Sequence, residues 1–93
     1  MIDSSEQIES LLLLIVLSLA SAPDDVTLQI NRDVVPLIAA VAVAKSDLGR
    51  IIGKEGRMAR SIRTIVRGGA LKLKHPANII DISSSTVNRI GQG

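Results

Sequence analysis

The chain has 93 residues, no cysteine and a single histidine, His75, which leaves room for one domain and none for disulfides, thiolate metal sites or a multi-histidine centre. It has no Phe, Tyr or Trp, which excludes RNA-binding modules that stack bases on aromatic rings. The net charge is only +2, yet it is polarised: residues 1–44 set Arg32 against six carboxylates, for −5, and residues 45–74 set nine Lys and Arg against Asp47 and Glu55, for +7. A polyanion would be drawn to the second block, although a basic helix face also serves plain solvation.

Residues 5–21 are predicted to be helical. Ser4 or Ser5 can cap the start, and Glu6 and Glu9 suit its positive end. Ile8, Leu11, Leu12, Ile15, Val16 and Leu19 share one face. Leu13, Leu14 and Leu17 fall off that face, so the helix is apolar nearly all round and calls for burial against a partner or a second copy. The run Leu11 to Ala20 also has the length of a signal-peptide core, and Ala20-Ser21-Ala22 resembles a cleavage site. Asp3, Glu6 and Glu9 give the preceding region the wrong sign for that, and the run is too short to span a bilayer. No membrane contact is expected, and the expected location is cytoplasmic.

Pro23-Asp24-Asp25 stops the helix. Val26 to Ile30 alternates and predicts a strand with one buried face. Asn31-Arg32-Asp33 is turn chemistry. The apolar run Leu37 to Ala44 has the length of a buried central strand, with four alanines weakening its propensity. Residues 26–44 then form a hairpin. Ser46 is the expected cap of a second helix, with Asp47 in its first turn and Leu48, Ile51 and Ile52 turned to the core.

A Gly53-Lys54-Glu55-Gly56 turn leads into a third helix. Its inner face is predicted as Met58, Ile62, Ile65, Val66 and Gly69, and its outer face carries Arg57, Arg60, Arg63, Thr64 and Arg67. Gly68-Gly69 should weaken its end, at about 1 kcal/mol per Gly relative to Ala. Beyond it, Leu71 and Leu73 fit helix or loop, and His75-Pro76 breaks the pattern. A last strand is predicted over residues 77–83, and residues 84–93 are expected to form a flexible tail. The order is α-β-β-α-α-β in one α+β domain spanning residues 1–83, its three-stranded sheet packed on helices.

The turn is the chemically informative stretch. Glycine permits turns closed to other residues and lets a ligand approach the backbone. A following helix points amides and its positive dipole end at the turn, which makes an anion site. At about 7% glycine, two glycines three apart arise by chance roughly 0.4 times in a chain of this length. The setting strengthens the signal: Ile51-Ile52 before, Lys54 within, and a basic amphipathic helix after.

With that setting, Ile51-Ile52-Gly53-Lys54-Glu55-Gly56 resembles the signature of a KH domain, and the element order resembles the type II form of that fold. Residues 47–59 and 61–66 are similar to the KhpA family of small bacterial single-KH RNA-binding proteins. The resemblance implies a groove for about four unpaired nucleotides of single-stranded RNA, clamped along the backbone by the turn. The expected RNA-binding set is Arg50, Ile51, Ile52, Gly53, Lys54, Glu55, Gly56, Arg57 and Arg60. Gly53 and Gly56 admit the sugar–phosphate, and Lys54, Arg57 and Arg60 meet phosphates. Arg50 flanks the groove, Ile51 and Ile52 floor it unless they simply pack the core, and Glu55 faces solvent. An RNA chaperone or post-transcriptional regulator is implied, with a homodimer or a KhpB/Jag-type KH protein as partner. No cofactor and no enzymatic activity are expected.

Two other classes compete with this one. Gly49 to Glu55 is a poor phosphate-binding P-loop, with three residues between its glycines instead of four and Glu55 where a hydroxyl should hold magnesium. His75 beside Pro76 reads as a loop histidine. A protein-interaction module acting through the apolar first helix, without strong RNA binding, is the alternative reading.

Overall fold

A computed structural model describes residues 3–84. The first helix, α1 (Ser4–Leu19), is capped by Asp3 rather than by either serine. Asp3 Oδ1 accepts the Glu6 amide at 2.9 Å, and the Asp3 amide donates to Glu6 Oε1 at 3.2 Å, so two orphan amides are satisfied reciprocally. Ser5 is buried and donates its hydroxyl to Asp3 Oδ1 at 2.7 Å. The Glu6 amide, then the Ser5 hydroxyl, hold the Asp3 carboxyl below its usual range. Ile8, Leu12 and Val16 are buried, and Ile15 and Leu19 pack against the same core. Leu13, Leu14 and Leu17 are exposed.

Strands β1 (Thr27–Asn31) and β2 (Leu37–Val43) pair antiparallel, from Thr27 opposite Ala42 to Asn31 opposite Ile38. On its other side β2 pairs parallel with β3 (Ala77–Ser84), starting at Leu37 opposite Ala77. The alanines do not prevent β2, because a strand between two others has both ladders made. Leu37, Ala39, Val41 and Val43 are buried under the helices, and Ile38, Ala40 and Ala42 are half-buried on the other face. At Ala39/Ala40 the register shifts: Ala39 is opposite Ile79 and Ala40 opposite Asp81. Ile80 is therefore an unpaired bulge residue, and it is exposed. The last strand runs on to Ser84; residues 85–93, expected as a tail, lie outside the described residues.

Helix α2 (Lys45–Ile52) has Ala44 at its cap position, two residues before the expected Ser46, with no side-chain cap bond. Asp47 does something the periodicity does not show: it is 0% exposed and binds back to the end of α1. Its carboxylate accepts the Ser21 hydroxyl at 2.6 Å, the Ser21 amide at 3.0 Å and the Ala22 amide at 3.0 Å. The Ser21 hydroxyl first, and then these amides, hold the Asp47 carboxyl below its usual range.

Helix α3 (Arg57–Lys72) runs straight through Gly68-Gly69. A Cβ at Gly69 would lie 2.9 Å from Leu11 Cδ2, so this glycine lets α1 and α3 approach closely, and the packing offsets the poor propensity. The buried face is Ala59, Ile62, Val66 and Ala70, a phase shifted from the prediction, and Met58 and Ile65 are exposed. His75 follows the helix, half-buried, with its amide donating to Ala70 O at 2.9 Å. Its Nδ1 is buried without a hydrogen-bond partner among the described residues. One core joins α1, β2, α2, α3 and β3.

Candidate nucleic-acid interface

The turn between α2 and α3 needs its glycines for two different reasons. Gly53 has φ 79° and ψ 172°, and a Cβ there would sit 2.6 Å from Met58 Cβ and 2.8 Å from Met58 N. No L side chain fits, both in conformation and in space. Gly56 has φ 75° and ψ 13°, but a Cβ would meet nothing closer than Arg60 Nη1 at 3.8 Å. Here the conformation alone selects glycine, and the space above the backbone stays open. Between them Glu55 is left-handed too, at φ 57° and ψ 25°. The Gly53 amide donates to Gly49 O at 2.8 Å and the Gly56 amide to Gly53 O at 3.1 Å, so both glycine amides are bonded within the turn.

Lys54 and Glu55 are exposed at the tip. No side chain caps α3, so its positive end is free of an internal carboxylate cap. Arg57 and Arg60 are exposed in its first two turns. Glu55 Oε1 lies 3.1 Å from Arg57 Nη2, with both side chains about two-thirds exposed (66% and 69%). A pair so wet contributes about 0–1 kcal/mol and is readily exchanged for another anion.

Three residues of the expected set, Arg50, Ile51 and Ile52, form the last turn of α2. Ile51 is 0% exposed and belongs to the core, so its side chain cannot floor a groove; Ile52, half-buried, still can. Arg50 turns to the end of α1, where Nη1 donates to Leu19 O at 3.3 Å and lies 3.7 Å from Asp47 Oδ1. It braces the helix pair rather than standing free beside the turn. The structure thus brings Gly53, Lys54, Glu55, Gly56, Arg57 and Arg60 together at one exposed corner, with Ile52 behind them.

Periodicity puts Arg63 simply on the outer face of α3. In the structure it is half-buried, and its Nε donates to Ile79 O at 3.1 Å, crossing from α3 to β3. Its helical phase, next to Ile62 and Val66, is the signal that points inward. Among the described residues no group of three or more His, Cys, Asp or Glu could hold a metal ion, and no helix is long and apolar enough to cross a membrane.

A family model described as KhpA/KhpB, KH domain matches residues 9–82. The chain is 43% identical over 58 residues to the RNA-binding protein KhpA of Listeria monocytogenes, covering 62% of this chain and 76% of that protein. Over 76 residues it is 37% identical to the RNA-binding protein KhpA of Streptococcus pneumoniae, covering 82% of this chain and 96% of that one. Among solved structures, Era in complex with MgGDPNP and nucleotides 1506–1542 of 16S ribosomal RNA matches with a TM-score of 0.63 at 18% identity. That match covers 83% of this chain but only 30% of Era, and it speaks to the fold alone.

Proposed function

The chain belongs to the KhpA/KhpB KH-domain family, and from that membership we propose that it binds single-stranded RNA in the cytoplasm, clamping the sugar–phosphate at the corner from Gly53 to Gly56. One observation carries the reading: an exposed lysine stands at the uncapped positive end of α3, on a backbone with open space above Gly56. Lys54 supplies a point charge to one phosphate. Arg57, once exchanged from Glu55, and Arg60 supply two more. Ile52 offers the nearby apolar surface to bases. The role is that of a non-enzymatic RNA chaperone or post-transcriptional regulator with weak sequence preference, because the footprint is short and ring stacking is absent.

Replacing Lys54→Asp together with Glu55→Asp tests the site. Both residues are exposed, so the fold should survive while affinity for a 15-nucleotide unpaired RNA falls at least about 100-fold. Unchanged affinity would sink the proposal. If about three phosphates are neutralised, log K against log salt should slope near −2, at roughly −0.7 per contact on single strands.

The exposed Leu13, Leu14 and Leu17 on α1 support a second property, association with another copy or with a KhpB/Jag-type KH protein. Sedimentation of wild type against Leu14→Glu reads it. A monomer in both, with no added KH partner retained, would remove the idea.

A further inference from the structure

The helices cover one face of the sheet and, among the described residues, leave the other open. On that open face Ile38, Ala40 and Ala42 of β2 are half-buried, and the bulge puts Ile80 of β3 outward at 60% exposure. Ile38, Ala40 and Ile80, with Gln29 and Asn31 of β1, line a depression of about 370 Å³. Ala40 and Ala42 put only methyl groups between the larger side chains of the neighbouring strands, which leaves a trough.

The chemistry narrows what fits there. Asp81, opposite Ala40, is the one charged residue in the three strands, and it has no ion pair to another described residue. A polyanion such as RNA has no cation to meet on this face. A second copy would bring a like charge, and the face is small for it. Three strands about 4.8 Å apart and about 20 Å long give roughly 300 Å², against about 800 Å² per partner in a stable complex. A short segment with an apolar side chain and a cation fits better.

Residues 85–93, Ser-Thr-Val-Asn-Arg-Ile-Gly-Gln-Gly, have that composition. They follow β3 directly, lie beyond the family match at residues 9–82, and can span about 30 Å when extended. With Ser85 and Thr86 as a two-residue turn, a chain returning over the face sets Val87 level with Ser84 and Ile90 level with Asp81. Ile90 then lies beside Ile80 and Ala40. Arg89, the only Lys or Arg after Lys74, comes within one position of Asp81.

We propose that residues 85–93 fold back over the open sheet face as a strap, with Ile90 seated in the trough of Ile38, Ala40 and Ile80 and Arg89 paired to Asp81. The strap closes an apolar surface otherwise open to foreign chains. It lies on the side of the sheet away from the helices that carry the RNA corner, and it does not depend on RNA binding.

The test uses the full chain, whose lack of cysteine lets Gln92→Cys carry a single spin label. Isoleucine methyl groups are isotope-enriched and read by NMR. A loose nine-residue segment spreads over roughly 16 Å, whereas a seated one should cost Ile38 and Ile80 more than about half their signal. Ile8, Ile51 and Ile62, buried on the helical side, should keep theirs. Adding Ile90→Asn, a change outside the core, should restore most of the lost signal at Ile38 and Ile80. No loss at these two methyl groups, or a loss that Ile90→Asn leaves unchanged, overturns the strap. A spin-labelled chain without enrichment is also mixed with an enriched chain without label. Loss of the Ile38 and Ile80 signals in that mixture would assign the face to a second copy and overturn the strap as well.

Discussion

At its first turn α2 is tied down by a carboxylate with no exposed surface, and at its last it runs into a corner whose charged side chains face solvent. The Asp47 end commits its polar groups to the chain itself, joining α1 to α2 through Ser21 and Ala22. The Gly53 end bonds the Gly53 and Gly56 amides back to the backbone and leaves the side chains of Lys54, Arg57 and Arg60 exposed. Within one short helix, one end fixes the element and the other presents it. A mutation at the first should therefore change stability, and one at the second should change binding.

That division can be overturned or made finer by experiment. The largest effect belongs to the corner: the double aspartate variant should lose at least about 100-fold in RNA affinity with its melting temperature unmoved. Next comes Asp47→Ala, which strands three donors and should lower the melting temperature by more than about 8 °C. If that variant melts like wild type, the contrast between the ends is wrong. The same carboxylate sets an acid limit. Its folded pKa is depressed, so its contribution is present above the unfolded value and is lost as pH falls through the folded one. Stability should be level from about pH 5 to 8 as far as this group is concerned and decline below about pH 4, and Asp47→Asn should flatten that decline.

Gly53→Ala should be smaller but mixed. The clash with Met58 and the positive φ together cost about 1–3 kcal/mol, and the distorted corner should bind RNA less well. A clean effect on only one of the two readouts would show that the corner is not shared between fold and function. The smallest effect is at the paired glycines of α3. At Gly68 an added Cβ would meet nothing within 4 Å, so Gly68→Ala should stabilise by about 0.5–1 kcal/mol. Gly69→Ala should gain less, because Leu11 Cδ2 must give way; equal gains in thermal melts would place no close approach there.

The corner and the element order could be read directly from the chain, because glycine's freedom, apolar periodicity and turn residues are local properties. The network at Asp47 could not. Its partners lie 25 and 26 residues away, and an acidic residue in a first helical turn already has a sufficient local explanation in the dipole. The Arg63 bond to Ile79 spans 16 residues and is hidden for the same reason. Gly68-Gly69 misled because propensity counts what a residue costs alone, whereas Gly69 is placed where another helix needs the room. Ile51 and Ile52 look alike in the motif, and only packing separates the buried one from the available one.

The bulge in β3 bears on how this chain can change length. Ile79 and Ile82 both side with the helices although three positions separate them, since Ile80 drops out of the ladder between Ala39 and Ala40. Deleting Ile80 would leave Ile79, Asp81 and Ile82 on the faces they already occupy. Deletion of one residue elsewhere in the strand would turn everything after it inside out. The edge strand thus holds a spare link, a place where descendants of this sequence could grow or shrink by one residue and keep the same interior.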